Sequence, residues 1–184
     1  DKIMANIFAI KFMSKCWEKS KMNHTDFKNL QTQTQNSVLD ILKSSNQVLG
    51  VINTGSIVQN ENDAFSDIDI ECFMANEEMT GAKDLVYKVE KISPLLSRLW
   101  LYDKNGLFLF ENGVRLDLNF YKPSEISSFN SHFVKILYDP KGLVQDELNK
   151  NISPDEFPHP RRNPNEFEYL DWYFWMFRQV YCWT

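Results

Sequence analysis

The chain contains 184 residues, of which 43% are hydrophobic and 24% are charged, and its formal net charge is −5. This composition predicts a globular, soluble protein with enough residues for one compact domain and part of another. The acidic total, with a pI of about 5.2, provides no general basic surface for a nucleic-acid duplex. It therefore argues against a template-directed polymerase and favours a small ligand, including a cationic one.

The three cysteines, Cys16, Cys72 and Cys182, form no CxxC pair and no Cys/His ligand spacing. An odd count without a disulfide pattern is typical of a reducing compartment, so the predicted location is the cytoplasm. Cys72 lies in an apolar run and is predicted to be a core residue rather than a reactive one.

Residues 1–21 are predicted to be an upstream extension with little function. The apolar stretch at residues 3–17 imitates a signal peptide, but it lacks an uninterrupted apolar core and a small-residue cleavage site. Residues 22–26 make a more natural start, with Asn23 or Thr25 able to cap a following helix. A membrane-associated amphipathic segment is the alternative for this extension.

The first predicted element is a polar helix over residues 26–44, which packs inward through four apolar residues: Val38, Leu39, Ile41 and Leu42. An apolar strand over residues 47–53 leads into a turn at Gly55 and Ser56. One helical turn over residues 57–60 and an acidic loop over residues 61–65 precede the next strand.

The most informative pattern is this glycine turn, followed by two carboxylates two residues apart on a predicted strand over residues 67–74. Asp67 and Asp69 alternate with isoleucines, so the carboxylates share one face while the isoleucines enter the core. Adjacent like charges are best tolerated around a cation, and hard oxygen ligands select Mg²⁺. Gly55 and Ser56 offer close backbone approach, N–H donors and a hydroxyl, which suit a phosphate beside that metal.

The later predicted elements end in a third acidic strand. They are a helix over residues 81–92 that stops near Pro94, strands over 99–102, 107–110 and 114–121, and a helical segment and short strand ending at residue 138.

Asp117 lies between two leucines on the strand over residues 114–121, which follows the hairpin dipeptide Asn112-Gly113. It is the predicted third carboxylate, because its rivals Asp103 and Glu111 lie beside turn residues. Three acids on neighbouring strands could hold one or two metal ions against a nucleoside triphosphate.

Each assignment has a simpler structural alternative. Gly55-Ser56 could be only a strand-to-helix turn with a serine N-cap, and the Asp67–Asp69 run could be an exposed edge strand with solvated acids. The apolar continuation of that strand argues against solvated acids. Arg115 shares the face of Asp117, and either a phosphate contact or a solvated position is open for it.

Gly-Ser, about ten residues, Asp-x-Asp between apolar residues and a later strand aspartate together resemble the polymerase-β-like nucleotidyltransferase superfamily. The resemblance covers roughly residues 26–146 and is nearest to the small bacterial aminoglycoside and lincosamide nucleotidyltransferases and the minimal nucleotidyltransferases. It implies an α+β fold, a nucleotidyltransferase-like mixed sheet flanked by helices and followed by the start of a helical second domain. The implied domain covers residues 22–150.

By the same resemblance, Gly55 and Ser56 bind the nucleotide phosphates, with Ser66 as a further nucleotide-binding residue. Asp67 and Asp69 hold Mg²⁺, and Asp117 is a metal ligand or the general base on the acceptor hydroxyl.

The implied reaction transfers a nucleotidyl group, AMP from ATP, to a hydroxyl of a small-molecule acceptor such as an aminoglycoside-like antibiotic. The alternative is an antitoxin-type minimal nucleotidyltransferase that binds or modifies a helical protein partner. Neither a nucleic-acid duplex nor a membrane is an expected partner, and a homodimer is a further option.

The last part of the chain changes character. Residues 151–164 contain four prolines and are predicted to be a linker. Residues 165–184 are predicted to form an aromatic-rich helix that is apolar nearly all round and therefore needs several neighbours. In the resembled antibiotic-modifying families a helical domain follows here, so a truncated chain is expected. A helix that docks back on the sheet or forms a dimer interface is the alternative.

Overall fold

The structure, a computed structural model, describes residues 24–58, 66–101 and 104–150. The elements are α1 (His24–Lys43), β1 (Val48–Thr54), α2 (Gly55–Val58), β2 (Ile68–Met74), α3 (Ala82–Val89), β3 (Leu95–Leu101), β4 (Asn105–Phe110), β5 (Arg115–Tyr121), two 3-10 helices (Pro123–Ser128 and Ser131–Phe133), β6 (Lys135–Tyr138) and α4 (Leu143–Lys150). Within these ranges, no helix has the length and apolar character needed to cross a membrane.

The six strands form one mixed sheet in the order β3-β4-β5-β2-β1-β6. The central strands β2 and β5 are parallel, and β2 pairs with β1 in the antiparallel sense. Two parallel neighbouring strands need a long connection between them. Here α3, β3 and β4 form the connection from β2 to β5. The predicted α+β class with a mixed sheet flanked by helices is confirmed, while the predicted linker and second domain lie outside the described residues.

The sheet carries a hydrophobic core on each face, because successive side chains of a strand point to opposite sides. On one face the strands pack with α1 and α3, and the buried residues from these elements include Val38, Leu42, Ile68, Ile70, Cys72, Leu85, Val89, Leu116, Leu118 and Phe120. A smaller cluster on the other face joins β1 and β2 to α4 and the first 3-10 helix through Ile52, Phe73, Ile126, Val144 and Leu148. The prediction that Cys72 is a core residue is confirmed.

Two predicted boundaries were wrong for local reasons. β3 begins at Leu95 rather than at residue 99, because the Pro94 carbonyl already accepts a hydrogen bond from the Glu111 amide at 2.8 Å. α3 ends at Val89 rather than at residue 92, because the amides of Lys91 and Ile92 bond to carbonyls three residues earlier and tighten the last turn.

The helical segments near the site also differ from the prediction. The single helical turn begins at Gly55 rather than at residue 57, and the segment before β6 consists of two 3-10 helices. The predicted acidic loop over residues 61–65 lies outside the described residues.

Candidate functional site

Three carboxylates converge at one end of the parallel strand pair. Asp67 immediately precedes β2, Asp69 lies on β2, and Asp117 lies directly opposite Asp69 on β5. Each is half-buried, and one carboxylate oxygen from each lies within 4.8 Å of the others. The three residues that the sequence placed on neighbouring strands are therefore brought together, and the rival Glu111 is not in the group. The other rival, Asp103, lies outside the described residues.

The environment of Asp69 and Asp117 opposes the ionisation of these two carboxyl groups. Burial, followed by the charges of Asp67, Asp117 and Glu71, raises the pKa of Asp69 to about 8. Burial also raises the pKa of Asp117 to about 7, with the charge of Asp67 as the next cause. Crowded, partly desolvated carboxylate oxygens are the ligands that suit a divalent cation such as Mg²⁺, because the cation stabilises their charged forms. The donor set thus fits the metal that the sequence predicted.

Arg115 supplies a positive charge at this site. Its Nη2 donates to Oδ2 of Asp67 at 2.7 Å, and only 9% of the Arg115 side chain is exposed, against 27% of the Asp67 side chain. The guanidinium lowers the pKa values of Asp69 and Asp117, although burial outweighs it at both. A solvated position for Arg115, one of the two alternatives left open by the sequence, is therefore wrong. Its role as a phosphate contact stays a prediction.

Gly55 adopts the left-handed conformation with φ +70° where β1 passes into α2. A Cβ atom built on Gly55 would lie 2.0 Å from Oδ2 of Asp69, so only glycine lets the chain pass this close to the carboxylate. Ser56 lies inside α2, which begins at Gly55, so the structure does not place it in the N-cap position of the simpler alternative. The turn and the acidic strand are in direct contact.

Ser66 lies just before Asp67 and is half-buried. Its main-chain carbonyl accepts a hydrogen bond of 2.8 Å from Nε2 of Gln31 on α1, which fixes the approach to β2. The nucleotide-binding roles of Gly55, Ser56 and Ser66 stay predictions.

Sequence reasoning missed Glu71, the third acid in the alternation of β2. Its side chain points to the same face as Asp69 and is paired in register with Asn119 of β5. Glu71 is 6% exposed, and its Oε1 accepts a hydrogen bond of 3.0 Å from Oγ1 of Thr54. Burial raises the pKa of Glu71, while polar groups of Asn119, Thr54 and Tyr121 lower it. Extending the i, i+2 pattern by one step would have revealed this residue.

Comparison with protein families matches the chain to the model described as streptomycin adenylyltransferase over residues 29–181. No curated protein matches the chain significantly. Among solved structures, the STING-associated CdnE c-di-GMP synthase from Capnocytophaga granulosa is 14% identical with a TM-score of 0.41, and the match covers 70% of this chain and 48% of that one. This chain thus spans about half the length of that structure. Because the family model matches most of the sequence, the chain belongs to the streptomycin adenylyltransferase family, within the nucleotidyltransferase superfamily that the sequence indicated.

Proposed function

We propose that this protein transfers a nucleotidyl group, AMP from ATP, to a hydroxyl of a small-molecule acceptor in a Mg²⁺-dependent reaction. The observation that carries the proposal is the convergence of Asp67, Asp69 and Asp117 within 4.8 Å, beside a glycine turn that contacts Asp69. Family membership supports nucleotidyl transfer as the class of reaction.

Asp67 and Asp69 would hold the metal, with Asp117 as a third ligand. When bound, Mg²⁺ supplies positive charge that stabilises the triphosphate as pyrophosphate leaves. Gly55 brings the main chain close to the site, and the Ser56 hydroxyl offers a donor to a phosphate oxygen.

Asp117 has a second role in this proposal, as the base that accepts the proton of the acceptor hydroxyl. Its carboxylate lies among those of Asp67 and Asp69, and a general base must lie within hydrogen-bond reach of the proton that it accepts. Arg115 would keep Asp67 in place through its 2.7 Å contact.

We further propose that the acceptor is a cationic small molecule of the aminoglycoside type. The family description names streptomycin, and the formal net charge of −5 favours a positively charged acceptor over a polyanion. The domain boundaries given by the sequence, 22–150 with a linker over 151–164, stay part of this proposal. A helical protein partner is the alternative, and it depends on residues 165–184.

The decisive experiment is calorimetric titration of ATP with and without Mg²⁺, followed by an adenylyl-transfer assay with streptomycin and related aminoglycosides. Asp67→Asn and Asp69→Asn should each abolish Mg²⁺-dependent binding and lower turnover by several orders of magnitude. Asp84→Asn is the matched control, because Asp84 is an exposed acid in the first turn of α3. Turnover within about tenfold of the parent in the first two variants would contradict the metal assignment.

A further inference from the structure

Glu71 is a buried acid that the proposed chemistry does not use. It lies one step farther along β2 than Asp69, on the same face, and is 6% exposed. Its neighbour across the antiparallel pair is Ile52, Phe73 follows on the same face, and Asn119, Thr54 and Tyr121 are its polar neighbours. Burying a carboxylate carries a desolvation cost that these polar neighbours offset only in part, since burial still raises the pKa of Glu71.

One of the polar neighbours of Glu71 links it to the glycine turn. Oγ1 of Thr54 donates to Oε1 of Glu71 at 3.0 Å, and Thr54 is the last residue of β1 before the Gly55-Ser56 turn. A hydrogen bond to a carboxylate in a buried setting is stronger than one between neutral groups. The contact therefore fixes the residue from which the turn departs.

Thr54 is one of three consecutive residues attached to the same short stretch of β2. The side-chain amide of Asn53 donates to the main-chain carbonyl of Asp69. Gly55 lies against the Asp69 carboxylate so closely that a Cβ there would overlap Oδ2. The residues on both sides of Thr54 thus contact Asp69, and these contacts set the position of the turn relative to β2.

We infer that Glu71 is a positioning residue, which acts through Thr54 to hold the Gly55-Ser56 turn in register with the Asp67–Asp69 carboxylates. The anchoring itself concerns the free protein, whereas its value for catalysis rests on the proposed function, in which the turn binds phosphate. Glu71 touches neither metal nor nucleotide in this account. Its contribution is the distance between the phosphate-binding turn and the metal, on which in-line transfer depends.

The test uses Thr54→Val, which removes the donor, Glu71→Met, which removes the acceptor, and the double variant. Thr54→Ser keeps the hydroxyl and should restore parent behaviour. Thr32→Val is the matched control, because the Thr32 hydroxyl bonds to the Lys28 carbonyl on the exposed side of α1. All variants are compared by calorimetry with ATP and Mg²⁺, by Mn²⁺ titration without nucleotide, and by amide hydrogen exchange over residues 53–58.

Thr54→Val and Glu71→Met should each weaken ATP·Mg²⁺ binding about tenfold, and the double variant should be no weaker than either single one. Mn²⁺ binding should stay within about twofold of the parent in Thr54→Val, because all three aspartates remain. Parent-like ATP affinity in Thr54→Val, or equal losses of Mn²⁺ and ATP binding, would overturn the inference.

Hydrogen exchange separates this inference from the proposed function. Faster exchange over residues 53–58 in Thr54→Val, but not in Thr54→Ser or Thr32→Val, supports the anchoring even if the parent binds no ATP. Unchanged exchange in Thr54→Val overturns the anchoring even if the parent binds ATP and Mg²⁺. A parent that binds neither would contradict the proposed function alone.

Discussion

Gly55 shows how one backbone position controls the acidic site. It combines a φ of +70° with a Cα that leaves no room for a Cβ beside Oδ2 of Asp69. Gly55→Ala should therefore lower the free energy of unfolding by about 1–3 kcal/mol from backbone strain, with a further loss from the clash. Displacement of the Asp69 carboxylate should also weaken divalent-metal binding. Urea unfolding in EDTA and Mn²⁺ titration measure the two effects.

Gly142 provides the control for this substitution. Its φ of +72° is nearly the same, but a Cβ there would meet nothing within 4 Å. Gly142→Ala should therefore show the strain without the clash, and its Mn²⁺ affinity should match the parent. Equal loss of metal affinity in both alanine variants would mean that contact with Asp69 is not what requires glycine at position 55.

Arg115 provides a fixed positive charge among the acids. Its removal should make the stability of the fold depend on a bound metal ion. Arg115→Met leaves Asp67 without its 2.7 Å partner and removes the charge that lowers the pKa values of Asp69 and Asp117. In EDTA at pH 8 the free energy of unfolding should fall by about 1–3 kcal/mol, because a partly buried carboxylate loses its hydrogen-bond partner. A saturating divalent metal should recover part of that loss, which thermal unfolding with and without Mg²⁺ would reveal.

The control for Arg115 is the exposed ion pair between Lys150 and Glu147, whose side chains are 65% and 38% exposed. Lys150→Met should change stability by less than about 1 kcal/mol, because exposed pairs are screened by water. A similarly small effect in Arg115→Met would show that the acids do not need this guanidinium.

The site residues could be predicted where alternation of apolar and polar residues shows which face of a strand a side chain occupies. Asp67, Asp69 and Asp117 were found because each lies between apolar neighbours, which marks the buried side of a strand. The partner of Arg115 was not predictable, since Asp67 is 48 positions away and a local pattern carries no information about such a contact. Glu71 was missed because its pattern was visible but its burial was not.

At the scale of elements, β1 is fitted closely against α4. A Cβ on Gly50 would lie 2.3 Å from Cγ2 of Val144 and 3.0 Å from the Tyr138 carbonyl oxygen. Gly50→Ala should therefore destabilise the fold by about 1–3 kcal/mol through overpacking. The added Val144→Ala change should recover part of this loss, because it removes the methyl group in conflict. A double variant whose loss equals the sum of the two single losses would contradict this packing.

The parallel pair β2-β5 should give the metal-free protein an unusual pH dependence. Asp69 and Asp117 have folded pKa values of about 8 and 7, well above the ordinary aspartate pKa of 3.8. The folded state therefore binds more protons than the unfolded state between about pH 4 and 8. Stability in EDTA should therefore decrease as pH rises through this range and level off above it. Melting temperatures between pH 5 and 9 measure the slope.

Metal should reverse this pH dependence, because its ligands are the charged carboxylates and its binding releases protons. The increase in melting temperature on adding Mg²⁺ should therefore grow between pH 6 and 8. Asp117→Asn, which stays neutral, should flatten the slope seen in EDTA. Identical slopes with and without Mg²⁺ in the parent would contradict the proposal that these acids bind the metal.

The boundaries of the elements agree with the prediction where hydrophobic periodicity determines them. They differ from the prediction where hydrogen bonds determine them. α1 and β1 agree with their predicted ranges within two residues. Pro94 predicts a helix stop, but its carbonyl can also accept a hydrogen bond, so that a strand begins at the next residue. The start of β3 depended on that bond to Glu111, which the sequence does not show.

At the scale of the whole molecule, the sequence indicated one mixed sheet but not its strand order. Alternation decides which face a side chain takes, whereas the choice of neighbour depends on contacts between distant segments. Three acids that each lie between apolar residues predict neighbouring acidic strands, and the register places Asp69 opposite Asp117. The family model matches residues 29–181, which include residues beyond those that the structure describes.

The parallel register between β2 and β5 also has a kinetic consequence. A helix and a hairpin separate the two strands along the chain, so we expect the aspartates to converge late in folding. An ion that needs all three ligands should therefore bind only weakly to the transition state of folding. Mg²⁺ should accordingly slow unfolding and leave the refolding rate nearly unchanged. The ion would then prolong the lifetime of the native chain rather than guide the chain towards it.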